Sequence, residues 1–134
     1  MNKRTISFLL ALTMLLPFGS ALAASTMGDV HVSAHTGQTI TLTTTAFTDA
    51  LDLDADDEDV TLYHISFPTL PPADQAVIRL DGANYVADTP VSIAEIDAGD
   101  LQVQVTAQSA TVQIPFHATL SNDEVLHANL IITV

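Results

Sequence analysis

The stretch "TVQIPFHATLSNDEVLHANLIITV", residues 111–134, alternates apolar and polar side chains almost without a break. Val112, Ile114, Phe116, Ala118 and Leu120 share one side, and Leu126, Ala128, Leu130, Ile132 and Val134 repeat the pattern beyond a polar gap. A period of two is the spacing of a strand with one dry and one wet face, whereas a helix needs apolar residues three and four apart. The stretch predicts two long antiparallel strands joined by a loop near Ser121 to Glu124. That sets the class of the fold.

Working outward, the same period returns. In "DVHVSA" (29–34) Val30, Val32 and Ala34 alternate with His31 and Ser33, and "HTGQ" (35–38) reads as a turn. "TITLTTTAF" (39–47) continues as a strand, since the branched Cβ of threonine suits a pleated surface. "VTLYHISF" (60–67) is apolar on both sides and reads as a central strand. It is ended by Pro68, Pro71 and Pro72, which have no N–H for a ladder. In "AVIRLDGANYV" (76–86) Asp81–Gly82 marks a two-residue type I′ hairpin with Leu80 opposite Ala83. Leu101, Val103 and Val105 alternate with Gln102, Gln104 and Thr106. Only "SIAEIDAG" (92–99) breaks the pattern: Ser92 and Glu95 form a capping box and Gly99 closes the turn. The expectation is an all-β fold, an antiparallel β-sandwich of about seven to nine strands, with one short helical turn near residues 92–98.

The first 23 residues read as a cleaved signal peptide. Asn2-Lys3-Arg4 is a positive start, Ile6 to Leu16 an apolar run, and Ala21-Leu22-Ala23 the small-x-small cleavage pattern. Pro17 and Gly19 interrupt the run short of the ~20 residues of a membrane span. Removing 23 of 134 residues leaves 111, residues 24–134, read as a single β-sandwich domain. The expected location is the periplasm, the extracellular space or the cell surface. No cysteine is present, so stability must come from packing, metal or assembly.

Charge narrows the partners. The chain has three basic and sixteen acidic residues. Lys3 and Arg4 leave with the signal, so Arg79 alone faces sixteen carboxylates, a net charge of −15. Such a surface repels nucleic acid and anionic membrane.

Asp52-Leu53-Asp54, Leu70-Pro71, Asp81-Gly82 and Ile96-Asp97-Ala98-Gly99-Asp100-Leu101 follow one another in an order that resembles the bacterial cadherin-like repeat. That group includes the chondroitin-sulphate-proteoglycan-type repeats of surface adhesins. The resemblance covers roughly residues 37–120. It implies an immunoglobulin-like sandwich with an adhesive or matrix role, and calcium held between neighbouring modules. The chain departs from the family in two ways. Pro72-Ala73-Asp74-Gln75 stands where a glycine usually follows the Leu-Pro turn, and a single module supplies only half of an interdomain site.

The segment "DALDLDADDEDV" (49–60) holds seven carboxylates. Asp52, Asp54 and Asp56 have the Asp-x-Asp-x-Asp spacing that opens many calcium loops. An EF-hand is rejected, because Asp57 sits where glycine is needed and Tyr63 where the bidentate glutamate belongs. A looser site at the sandwich edge would use Asp52, Asp54 and Asp56 with Asp49 and Asp59, and hold Ca²⁺ weakly, at ~10⁻⁴–10⁻³ M. The other reading is a solvated acidic loop. Both stay open.

Five histidines raise the question of a transition metal. His31 and His35 would share the polar face of a continuous strand. His117 and His127 would be opposed or one step diagonal on the last hairpin. Two imidazoles are half a zinc site at most, so exposed, unliganded histidines are the simpler reading. His64, on the expected central strand, reads as buried and hydrogen-bonded. No Gly-x-Ser-x-Gly elbow, His-Glu-x-x-His pair or glycine-rich phosphate loop occurs, and no enzyme is expected.

Three functions compete. The first is an exported non-enzymatic cadherin-like module with an adhesive, matrix or structural role, its partner a protein, a matrix component or another copy. The second is a self-assembling subunit that donates a terminal strand, "NLIITV" or the segment after the signal. The third is a periplasmic ligand-binding accessory protein.

Overall fold

Alternation in the sequence becomes two sheets, each burying one face. The computed structural model describes residues 25–134 apart from residues 55, 57, 58 and 109. The expected signal peptide therefore lies outside the described residues, as do Asp57 and Glu58 of the acidic run. Two compact units are distinguished. The larger comprises Thr26–Asp52 and Asp59–Val134, and of the smaller Ser25, Leu53, Asp54 and Asp56 are described.

The strands are β1 (Thr26–Met27), β2 (Val30–Ser33), β3 (Thr39–Thr41), β4 (Leu51–Asp52), β5 (Leu62–Ser66) and β6 (Ala76–Leu80). They continue with β7 (Ala83–Asn84), β8 (Val91–Ser92), β9 (Leu101–Val105), β10 (Thr111–Leu120) and β11 (Val125–Thr133). Two short helices, α1 (Thr44–Thr48) and α2 (Ile93–Asp97), interrupt them. One sheet has the order β3-β9-β6-β7, a second β2-β11-β10-β5-β8, and β1 pairs with β4 alone. The fold is all-β and sandwich-like.

The long hairpin forms as its alternation predicts. β10 and β11 pair antiparallel from Thr111↔Thr133 to Thr119↔Val125. Val112, Ile114, Phe116, Ala118 and Leu120 are buried, as are Leu126, Ala128, Leu130 and Ile132. Phe116 meets Phe47 edge to face at 5.2 Å between centroids and Phe67 at 6.4 Å, so one ring ties α1, β10 and the end of β5. β11 lies between β10 and β2 and is paired on both sides, the β2 pairing being parallel. The last strand is interior to its sheet, not a free end.

Pro115 shows how the ladder tolerates a missing donor. It pairs with Asn129 of β11, but β5 begins to pair with β10 only at His117↔Ser66. Two residues further on, the facing positions are Pro115 and Pro68, neither with an N–H, and β5 has already ended.

The other sheet carries the Asp81–Gly82 hairpin. Asp81 has φ 52° and Gly82 φ 78°, the left-handed pair that a type I′ turn requires, and Leu80 stands opposite Ala83 as expected. α2 also forms as expected. Ser92 Oγ accepts from Glu95 N–H at 3.1 Å, and Glu95 Oε1 accepts from Ser92 N–H at 2.9 Å. Gly99, at φ 82°, follows the helix and leads into β9.

Two expectations need correction. The strand predicted over residues 39–47 stops at Thr41, and α1 follows. Thr43 caps it, its hydroxyl accepting from Ala46 N–H at 3.2 Å, and the single turn swings Phe47 into the core. Threonine favours caps as well as strands, so composition alone did not separate the two. The strand predicted over residues 60–67 is interior to its sheet, between β10 and β8, as expected of a central strand, but its two faces are not both buried. Thr119 pairs with His64 and Leu120 with Leu62, leaving Tyr63 as an extra residue, a β-bulge. On a regular strand Leu62 and His64 would point the same way. The bulge turns Leu62 inward with Ile65, exposes Tyr63 and leaves His64 on the outer face.

Candidate functional site

The acidic segment is distributed over a helix end, a strand end and a loop. Asp49 caps the C-terminus of α1, its N–H donating to Thr45 O at 2.9 Å. Asp52 ends β4 opposite Thr26. In the smaller unit, Asp54 N–H donates to Ser25 Oγ at 2.9 Å, and Asp54 Oδ1 accepts a long 3.5 Å bond from Asp56 N–H. Asp59 is exposed in a turn. Among the described residues no three of Asp, Glu and His converge closely enough to hold a metal ion.

Arg79, the one base of the expected mature chain, is held by neutral groups. On β6 it donates from Nη1 to Asn84 Oδ1 at 3.1 Å and from Nη2 to Gln104 Oε1 at 3.2 Å. Asn84 is its partner on β7, and Gln104 lies on β9 one step from its partner Gln102. The guanidinium fork is well suited to two side-by-side acceptors. Sequence reading marked Arg79 only as a charge, since its amide partners are distant along the chain.

The histidines divide into different settings. β2 ends at Ser33, so His35 sits in the following turn, where its N–H donates to Gln38 Oε1 at 3.0 Å. The continuous strand that would align it with His31 does not form. His64 is half-buried on the outer face of its sheet, opposite Thr119 and Ser92. Its Nδ1 is enclosed and has no hydrogen-bond partner among the described residues, contrary to the satisfied core histidine expected. The bulge at Tyr63 is the reason, because it carries His64 out of the core. His117 and His127 are directly opposed across β10 and β11, with ring centroids 4.2 Å apart and planes at 66°. Of the two registers the sequence allowed, the direct one is adopted.

A cleft of about 170 Å³ opens beside β6 and β7, lined by Leu70, Pro71, Ala73, Ile78, Asn84 and Tyr85 among others. Binding pockets for drug-sized ligands span about 300–1,000 Å³, so this cleft admits only a fragment. Among the described residues no helix is long and apolar enough to cross a membrane.

Comparison with known proteins found no counterpart. No family model, no curated protein and no solved structure matches the chain.

Proposed function

We propose that this chain is an exported, non-enzymatic module of immunoglobulin- or cadherin-like type with an adhesive, matrix or structural role. Its partner in this reading is a protein, an extracellular matrix component or another copy of itself, and its acidic segment takes up Ca²⁺ weakly. The observation that carries the reading is a sandwich-like fold whose turns occur in the order of the resemblance. The acidic segment comes before β5, Leu70-Pro71 lies between β5 and β6, and Asp81-Gly82 joins β6 to β7. Ile96 to Gly99 then leads from α2 into β9. The excess of carboxylates over bases adds support, since self-repulsion of this size is relieved by bound or screening cations. The small cleft favours recognition over an outer surface more than capture of a small molecule.

Thermal unfolding with chelator, with millimolar Ca²⁺ and with Mg²⁺ at matched ionic strength tests the calcium part. A Ca²⁺-selective rise of several degrees is expected, lost in the double variant Asp52→Asn, Asp54→Asn. If Ca²⁺, Mg²⁺ and NaCl act alike, the segment is a screened acidic surface and calcium leaves the reading.

Strand donation is the second reading, and one observation favours it. β2 is a four-residue edge strand near the start of the described chain, paired with β11 alone. An edge strand of this kind can be supplied by a neighbouring copy. Size-exclusion chromatography over a concentration series decides: a monomer at high concentration ends the idea.

A further inference from the structure

We infer that His117 and His127 form a two-imidazole site for a divalent transition-metal ion of tetragonal preference, Cu²⁺ before Ni²⁺, on the outer face of the five-stranded sheet. This goes beyond the proposed function and involves neither the acidic segment nor calcium.

With metal–nitrogen bonds of about 2.0–2.1 Å, two imidazoles bound cis to one ion hold their ring centroids about 4.5 Å apart at a right angle and about 5 Å apart at the tetrahedral angle. The observed separation is 4.2 Å. A right-angled, tetragonal arrangement is thus the nearer one, and that geometry belongs to Cu²⁺ and Ni²⁺ rather than Zn²⁺.

The two histidines sit within nine consecutive residue pairs of one antiparallel ladder, with Phe116↔Ala128 and Ala118↔Leu126 on either side anchored in the core. The ladder fixes the two backbones, so the ordering cost of binding falls on the two side chains alone.

The positions flanking the pair on the same face are Pro115 with Asn129 and Thr119 with Val125, and the next residue across the sheet from His117 is Ser66. None carries a charge. The neighbouring groups that can carry charge are Asp29, whose Oδ1 accepts from the Asn129 N–H at 3.0 Å, and His64, opposite Thr119; no base at the flanking positions repels a metal. His127 is exposed and His117 half-exposed, so an ion reaches them from solvent, while the anionic chain raises the local concentration of cations. Two protein ligands leave the remaining coordination positions to water.

The test is a Cu²⁺ titration of the untagged chain by calorimetry, with electron paramagnetic resonance of the loaded protein. One strong equivalent and a spectrum showing two imidazole nitrogens are expected. His117→Gln and His127→Gln should each weaken binding by at least about tenfold, while the double variant His31→Gln, His35→Gln stays within about twofold. Cu²⁺ should bind more tightly than Ni²⁺ or Zn²⁺, and binding of all three should weaken as pH falls, because protons compete with the metal for the ring nitrogens. The inference is overturned by a spectrum with fewer than two imidazole nitrogens, which is read on the unsubstituted protein and does not depend on any variant folding. It is equally overturned if binding survives both substitutions, or follows Asp52 and Asp54 instead.

Discussion

Tyr85 and Phe67 are joined twice. Phe67 N–H donates to Tyr85 Oη at 3.0 Å, and the two rings meet edge to face with centroids 5.5 Å apart. The phenol in turn donates to Thr89 O, so one buried hydroxyl ties the end of β5 to the β7–β8 connection. Phe67 has no other route to water, being fully buried.

Tyr85→Phe keeps the ring and removes only the hydroxyl. It leaves the Phe67 N–H enclosed without an acceptor, a defect that costs about 1–3 kcal/mol. Urea unfolding should show a midpoint shift of that size with an unchanged slope. A loss under about 0.5 kcal/mol would mean that water replaces the phenol.

The same hydroxyl predicts an alkaline limb. Burial holds the Tyr85 phenol above its ordinary value of 10.0, the Phe67 N–H works against that shift, and the nearby Asp88 carboxylate adds to it. The unfolded chain therefore ionises first. From about pH 10 upward the folded state binds more protons than the unfolded one, and stability falls as pH rises toward the folded-state value. Melting temperature should drop more steeply above pH 10 in the native protein than in Tyr85→Phe. Parallel curves would contradict the assignment.

At the β6–β7 turn, a Cβ on Gly82 would meet nothing within 4 Å, yet the residue sits at φ 78°. Gly82→Ala should therefore lose about 1–2 kcal/mol through backbone strain alone. Asp81→Asn should be neutral or slightly stabilising, since Asn-Gly is the preferred type I′ pair. Chemical unfolding of both variants separates conformation from contact.

Phe116 links the rings of Phe47 and Phe67 with no exposure to solvent. Phe116→Ala should cost about 3–5 kcal/mol, and Phe116→Leu markedly less, because leucine fills most of the space. Equal losses would show that edge-to-face geometry, rather than volume, decides the energy there.

The alternation in residues 111–134, the turn chemistry of Asp81–Gly82 and the capping box of Ser92 and Glu95 determined their own local structure. Each is a short-range rule: side-chain period, a φ > 0 demand, a reciprocal pair three residues apart. What depended on distant partners could not be read that way. Thr43 became a cap instead of a strand residue because Phe47 had a core to enter. Tyr63 became a bulge because Leu62 and Ile65 both had to face inward against β10, and that displacement put His64 outside. The acidic segment was legible as a run of charge, but whether its carboxylates converge is a matter of loop path. His117 and His127 stood at either of two registers until the loop over residues 121–124 closed, and closure in the direct register set two imidazoles opposite each other, edge to face. Alternation along each strand assigned its faces; pairing across the sheet then set which side chains on those faces meet, because register is a property of two strands and not of one.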